Sequence, residues 1–398
     1  RGTPLMLTLL TFPLWLAALA LLAVTLFLFL EVVASLGVKG AESVAERPRG
    51  RIGVVIPAHN EQEIVAATVA AVRAELRDID RIIVVADNCD DDTAALARPA
   101  GADAIERKDK SKCGKGYALQ FGVDHLRQSP PETVIFIDAD CRPGPGAIAR
   151  IAARADYLQR PVQALYLMTP PEGAGLKASV SAFAWLLINR VRMSGLQQLS
   201  GATRLTGSGM AFPWALISAA PLASGEIVED LGLTLKMIEA GAPPFLDLGA
   251  VVTSELPRSD AGATTQRARW EHGSLRMAAR KAPQLFLKGL KGDGKSLAMA
   301  FDLAIPPLTV LAALILGVTA LSAVAALLGS GGAFKMALWS LALFGGAVGI
   351  GWFSYGRDVL PPAALKGVLA YILGKARVYG DEGRRSAKRW TRTDRGGE

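Results

Sequence analysis

Three long stretches almost empty of charge constrain this 398-residue chain more than anything else in it. From Gly2 to Val38 the only charged side chain is Glu31, and neither Leu303–Phe334 nor Met336–Gly356 contains any. Each stretch meets or exceeds the roughly 20 apolar residues with which a helix crosses a bilayer, so membrane insertion is the first inference. Over the whole chain 51% of residues are hydrophobic and 20% charged, close to ordinary globular usage. It is the segregation of the apolar residues to the two ends that excludes a simple soluble protein. Intrinsic disorder, a collagen-like chain and a disulfide scaffold are excluded as well.

The first stretch is too long for a secretory h-region and lacks a basic n-region, so residues 1–38 read as a retained anchor. Because the chain opens on Arg1 and not on a methionine, residues upstream of it are expected. Two further spans fit Phe301–Leu328 and Phe334–Tyr355 within residues 301–356, joined by a turn containing Gly329, Gly331 and Gly332. Residues 274–300 would connect the soluble region to them along the membrane interface.

The net charge is +8. Ten basic against five acidic residues place +5 of it in the tail 357–398, beside a span, where the positive-inside bias and anionic lipid account for it. No basic stripe interleaved with aromatics occurs elsewhere, so nucleic acid is not an expected partner and membrane lipids are. With the central region and tail both cytosolic, three spans result: a multi-pass protein of a bacterial-type inner membrane. Cys89, Cys113 and Cys141 are odd in number, match no zinc spacing, and read as reduced thiols.

Between the anchors, strand and helix signals alternate as in an α/β domain. Arg51–Ile56, Arg81–Ala86 and Thr133–Ile137 are short apolar runs that end in polar residues; Gln62–Leu76 and Gly114–Leu126 carry helical periodicity. This βαβαβ layout collects its polar residues at the carboxyl ends of strands, where open parallel sheets bind ligands. Two further segments are amphipathic. Val180, Phe183, Leu187 and Val191 follow helical spacing, as do Leu365, Val368, Leu369 and Ile372. Each suits a helix lying in the membrane interface, the first equally a core helix of the soluble domain.

Asp138-Ala139-Asp140 follows the apolar run Val134–Ile137, so both carboxylates emerge at a strand end. Side chains two apart on a strand point the same way and can share one hard cation and the diphosphate it neutralises. Alone, such a pair is most often two solvated turn aspartates; its neighbours favour a site. In Asp87-Asn88-Cys89-Asp90-Asp91-Asp92-Thr93 the last three suit a helix cap. Asp87 precedes the cap, and its carboxylate suits the base or ribose of a nucleoside. Pro57-Ala58-His59-Asn60-Glu61 closes the first strand and sets Pro57, Asn60 and Glu61 beside Asp87 as donor-site candidates; His59 reads as structural. Lys115, between Gly114 and Gly116 at a helix start, favours a phosphate, although neither a P-loop nor a dinucleotide fingerprint is present. Glu229-Asp230 either matches a helix dipole or supplies a general base for a hydroxyl nucleophile, Asp230, with Glu229 beside it. Gln266-Arg267-Ala268-Arg269-Trp270 is the most specific string. It is either the solvated face of an amphipathic helix or a site with Arg269 on a diphosphate and Trp270 under a sugar ring.

Taken in order, Asp87, the Asp138/Asp140 pair, Glu229-Asp230 and Gln266-x-x-Arg269-Trp270 resemble the D, DxD, ED and QxxRW signature of membrane-bound family 2 glycosyltransferases, such as cellulose, hyaluronan and chitin-oligosaccharide synthases. The resemblance covers roughly residues 51–273 and the flanking spans. It implies an α/β GT-A domain, a UDP-sugar donor, Mg²⁺ or Mn²⁺ held by Asp138 and Asp140, and inversion at the anomeric carbon. On it, Asp87 would hold the uridine, Lys115 and Arg269 the diphosphate, and Trp270 with Gln266 the acceptor side, while Asp230 takes the acceptor proton. Asn88-Cys89 and Val228 depart from the usual flanking residues.

Three spans argue for one or few transfers to a lipid-linked or growing polysaccharide acceptor. The alternative is a processive synthase that exports its polymer through a homo-oligomer or a partner channel, and a third reading is a silent glycan-binding scaffold.

Overall fold

The computed structural model describes residues 3–38, 49–226, 228–256 and 260–367, with the side chains of 3–10 and 260–270 outside the description. In chain order its first half runs α1 (Thr3–Leu36), β1 (Ile52–Ala58), α2 (Val65–Arg73), β2 (Arg81–Asp87), α3 (Thr93–Ala97), β3 (Asp103–Arg107), α4 (Lys115–Leu126) and β4 (Thr133–Phe136). Then come β5 (Cys141–Pro143), α5 (Ala147–Leu158), β6 (Val162–Thr169), α6 (Leu176–Leu186), α7 (Met193–Ser200), β7 (Met210–Pro213), α8 (Trp214–Ile217), α9 (Glu229–Glu239) and β8 (Phe245–Glu255). The chain continues with α10 (Asp260–Leu290), α11 (Gly294–Ala304), α12 (Leu308–Leu327) and α13 (Gly332–Gly351).

The short β-branched runs become strands because both of their faces are covered. Val54 and Ile56 pack with α2 and α5 residues such as Val69 and Ile151, while Val55, Ile83 and Val85 pack against Leu119 and Val123 of α4. A strand buried on both sides reads as a continuous apolar run. The eight strands form one sheet in the order β3-β2-β1-β4-β7-β6-β8-β5. β1, β2, β3 and β4 run parallel to one another, whereas β7 runs antiparallel to both β4 and β6. The chain steps outward from β1 to β2 and β3, then returns to place β4 on the other side of β1. That reversal opens a crevice beyond the carboxyl ends of β1 and β4, where doubly wound sheets bind ligands. This is the expected α/β GT-A architecture.

Three described helical segments, Thr11–Leu36, Leu308–Leu327 and Gly332–Gly356, are long and apolar enough to cross a membrane. Several of their polar residues turn inward: Thr25, Ser35, Ser322 and Ser340 are buried, while Leu19, Leu26, Leu321 and Trp339 are exposed. Such inside-out polarity suits helices bathed in lipid. The expected span from Phe301 is corrected. Phe301 belongs to α11, and Pro306-Pro307 separates α11 from α12, because Ile305 ahead of the first proline is pushed into an extended conformation, φ −73° and ψ 108°.

The Val180–Val191 segment divides between α6 and a π-helical turn over Leu187–Arg192. It lies neither free in an interface nor wholly in the sheet core. Phe183, Leu187 and Val191 pack with Leu28 and Val32 of α1 and Leu311 and Ile315 of α12, while Trp185 Nε1 donates to the Tyr166 carbonyl of β6 at 3.1 Å. It bridges the sheet to the apolar helices. The second amphipathic segment and the basic tail lie, from residue 368 onward, outside the described residues.

Candidate active site

The loops after β1 and β2 are built together. Asn60 and Asn88 both adopt left-handed backbone conformations, φ 56° and 52°, which asparagine tolerates better than most residues. Asn60 Oδ1 accepts from the Asp90 amide at 2.9 Å, the Glu61 amide donates to Thr93 Oγ1 at 2.8 Å, and the Gln62 amide donates to Asp91 Oδ2 at 3.2 Å. Asp91 also caps α3 by accepting from the Thr93 amide at 3.0 Å. The expected donor residues Asn60 and Glu61 thus lace two loops beside Asp87, and Pro57 lies within β1, paired with Val85.

Asp87 ends β2, 7% exposed, and its Oδ1 accepts from Arg107 Nη1 at 2.6 Å and Asn88 Nδ2 at 3.1 Å. Arg107 closes β3 and stacks its guanidinium over the Tyr117 ring at 5.4 Å. The sequence offered no signal that singles out Arg107 from Lys108, Lys110 and Lys112, which follow it.

The acidic pair stands at the carboxyl end of β4. Ligand atoms of Asp138, Asp140 and Cys141 all lie within 4.8 Å of one another. The two carboxylates suit a hard divalent cation, Mg²⁺ or Mn²⁺. Cys141 does not, because burial and the neighbouring aspartates raise its thiol pKa well above the ordinary value. The Asp138 amide is held by Ser208 Oγ at 3.1 Å.

Opposite stands Lys115 in the first turn of α4. Its Nζ lies 2.5 Å from Asp138 Oδ1 and 3.5 Å from Glu229 Oε1, and donates to the Gly207 carbonyl at 2.8 Å. Glu229 and Asp230 open α9, where the Leu231 amide donates to Asp230 Oδ1 at 2.7 Å. Asp230 Oδ2 faces Gly207. A Cβ placed on Gly207 would sit 3.3 Å from Lys115 Nζ, 3.6 Å from Asp230 Oδ2 and 3.8 Å from Asp138 Oδ2, and the residue has φ +87°. A glycine therefore marks the point on which the reactive side chains converge.

Crowding of acids sets the electrostatics. Burial raises Glu229 to about 7, with Lys115 opposing and Asp230 adding. Burial likewise raises Asp138 to about 6, against the pull of Lys115 and with the push of Asp140. Asp230 is raised too, chiefly by burial, which makes its carboxylate a stronger base. Burial works against charge on Lys115, but Asp138 and Glu229 outweigh it and hold the ammonium protonated. The cluster retains an excess of acid over base, the condition under which a bound cation is favourable.

The structure therefore gathers Lys115, Asp138, Asp140, Glu229 and Asp230 into one crevice, with Asp87 at the neighbouring strand end. Gln266, Arg269 and Trp270 fall on the first half of α10, and their side chains lie outside the described residues. Sequence reasoning missed the Thr206-Gly207-Ser208-Gly209 segment. Its clue was two glycines flanking a serine just before a strand. Gln163, fully buried, accepts from the Thr206 amide at 2.9 Å and donates to the Ser208 carbonyl at 2.8 Å, fixing that segment.

An acid-rich crevice with one fixed ammonium, at the switch point of a doubly wound sheet, is an arrangement suited to a metal-bound diphosphate. A family model for glycosyltransferase-like family 2 matches residues 48–273, more than half of the chain, and the chain belongs to that family. It is 27% identical over 247 residues to a probable glucomannan 4-beta-mannosyltransferase 10 of Arabidopsis thaliana, across 55% of this chain and 42% of that protein, so it spans less than half of that relative's length. Among solved structures it is similar to a mannosyltransferase of Pyrobaculum calidifontis in complex with GDP-Man and Mn²⁺, with a TM-score of 0.52 at 18% identity, over 86% of this chain and 99% of that one. It also matches glucosyl-3-phosphoglycerate synthase of Mycobacterium tuberculosis in complex with Mg²⁺ and UDP, with a TM-score of 0.39 at 21% identity, over 58% and 82%. The structural likenesses concern the fold.

Proposed function

We propose that the chain is an inverting hexosyltransferase that moves a sugar from a UDP-sugar to a lipid-linked or growing polysaccharide acceptor at the cytosolic face of a bacterial-type inner membrane. The observation that carries this reading is the convergence of Asp230 Oδ2, Lys115 Nζ and Asp138 Oδ2 on the hydrogen-only face of Gly207.

A sugar's anomeric carbon set against that face would have both the base and the cation within reach. Asp230 takes the proton of the acceptor hydroxyl as its oxygen bonds to the anomeric carbon. The bond to the nucleoside diphosphate breaks, and its electron pair leaves with the diphosphate oxygen. Lys115 holds positive charge where that oxygen becomes anionic, a stabilisation strongest in a crevice that excludes water. Asp87, fixed by Arg107, would receive the nucleoside. Asp138 and Asp140 would hold Mg²⁺ or Mn²⁺, which would neutralise the leaving diphosphate. Arg269 would add to the diphosphate side, and Gln266 and Trp270 would border the acceptor. The three apolar helices would hold the crevice at the lipid surface, where a lipid-borne acceptor presents its hydroxyl.

A second donor, GDP-mannose, is favoured by the name of the Arabidopsis relative, a mannosyltransferase, and by the GDP-Man bound to the Pyrobaculum mannosyltransferase. The deciding experiment incubates the purified full chain in detergent with Mg²⁺ or Mn²⁺ and a panel of UDP-sugars plus GDP-mannose, reading nucleotide release. Metal-dependent UDP release supports the first reading and GDP release the second; release of neither overturns both. Sizing the product by mass spectrometry then separates one added sugar from a polymer.

A further inference from the structure

The only charge of the first apolar span is fully buried, and it is paired. Glu31 Oε2 accepts from Arg192 Nε at 3.0 Å. Arg192 Nη2 in turn donates to Asp302 Oδ1 at 2.7 Å and to the Asp302 carbonyl at 3.1 Å. The other carboxylate oxygen, Asp302 Oδ2, lies 3.2 Å from Arg204 Nε. Two acids and two guanidiniums form one chain of alternating charge, and its side chains are 0%, 4%, 1% and 16% exposed in that order.

Each link sits on a different piece of the molecule. Glu31 is on α1, Arg192 ends the π-helical turn before α7, Asp302 is on α11 just ahead of α12, and Arg204 lies three residues before Gly207. From Arg204 onward the backbone is pinned residue by residue. The Leu205 amide donates to Thr234 Oγ1 of α9 at 2.9 Å, the helix that Glu229 and Asp230 open, and Gly207 then offers its carbonyl to Lys115. The first junction is equally tight. A Cβ on Gly195 would fall 1.8 Å from the Glu31 carbonyl oxygen, so α1 and α7 cross in backbone contact one turn after Arg192.

A buried ion chain adds little net stability compared with well-packed apolar side chains, yet breaking it strands a charge. Its physical effect is to fix one arrangement of the elements it joins. We propose that Glu31, Arg192, Asp302 and Arg204 are positioning residues that register the apolar helices against the Gly207 segment, so that Lys115 and Asp230 hold transfer geometry only when α1 and α11 are docked. The inference rests on the transferase reading above, because its main readout is sugar transfer.

The test uses the full chain in detergent with the near-isosteric variants Glu31→Gln, Asp302→Asn and their double. Each single variant should lower kcat per folded molecule about tenfold or more, since small misplacements of reacting groups are costly, while the donor KM stays within about twofold. The double should lose no more than the worse single, because both cut the same chain, and Asp302→Glu should recover part of the rate. Hydrogen exchange supplies a readout independent of activity: amides of 203–209 should exchange faster in Glu31→Gln, with those of β2 and α4 unchanged. Wild-type kcat in both singles, losses that multiply in the double, or unchanged protection of 203–209 would overturn the proposal. If wild type transfers no sugar from any donor, the transferase reading fails by itself, and exchange at 203–209 still decides the positioning role.

Discussion

Glu229 is held in the fold at a cost that depends on pH, and replacing it by glutamine should make the protein more stable. Burial, with Asp230 alongside and Lys115 only partly compensating, moves its carboxyl from an ordinary 4.5 to about 7 in the folded chain. A raised acid pKa means that the folded form binds the proton more tightly. The stability this contributes is fully present below pH 4.5 and is lost as pH rises through 7. Over that window the loss runs at about 1.4 kcal/mol per pH unit and totals about 3 kcal/mol. The side chain is 14% exposed, so solvent screens little of it. Glutamine keeps the shape and cannot ionise. Glu229→Gln should therefore match wild type at pH 4 and exceed it by about 3 kcal/mol at pH 8, or about 6 to 12 °C in Tm at 2–4 °C per kcal/mol. Thermal unfolding in detergent with EDTA, followed by tryptophan fluorescence from pH 4 to 8, measures the difference. A gain that is absent at pH 8, or equally large at pH 4, would refute the reasoning. The same variant should lose transfer, the usual exchange of activity for stability at a strained site.

Asp230→Asn should lower kcat by about 10² to 10⁴-fold, the range for removing a general base, with the donor KM within about twofold. In wild type, kcat should fall as pH drops through a value above that of an ordinary aspartate, because burial raises the Asp230 pKa and the base must be anionic to act. Gly207→Ala should abolish transfer in a nucleotide-release assay while most of the protein stays folded, since its Cβ would stand 3.3 Å from Lys115 Nζ on a backbone with φ +87°. EDTA should stop nucleotide release and Mn²⁺ or Mg²⁺ restore it, and Asp140→Asn should raise the half-saturating metal concentration at least tenfold, about 1.4 kcal/mol.

What the sequence disclosed and what it hid follow from the range of the interactions involved. Asp138 and Asp140 were visible because a local apolar run points straight at them, and Lys115 because two glycines bracket a helix start. Glu229 and Asp230 gained meaning from their order among the motifs, which local propensity cannot supply. Gly207 and Ser208 were hidden, because their place depends on β7 pairing antiparallel with β4, with the Gly209 amide donating to the Phe136 carbonyl at 2.9 Å. Arg107 was hidden for a similar reason: β3 is short, and only its parallel pairing with β2 sets Arg107 level with Asp87. The span expected from Phe301 failed on local chemistry, since composition alone runs through Pro306-Pro307, where Ile305 is turned extended ahead of the proline and ends the helix.

The separation of 161 residues between Glu31 and Arg192 has a consequence for how the protein is made. If the first helix is a membrane span, then at about 5 to 20 residues per second of synthesis Glu31 would enter the bilayer about 8 to 32 s before its first partner has left the ribosome. During that interval the apolar residues around it would carry one acid, and because Glu31 lies near the end of Thr11–Leu36 and not at its centre, the cost would fall below the about 2.5 to 3.5 kcal/mol of a centrally placed charge. Leu26, Phe27, Leu28, Phe29 and Leu30 on one side and Val32 and Val33 on the other are the residues that carry it. As a span, the first helix would therefore hold its place alone and acquire its partners only as the rest of the chain arrives.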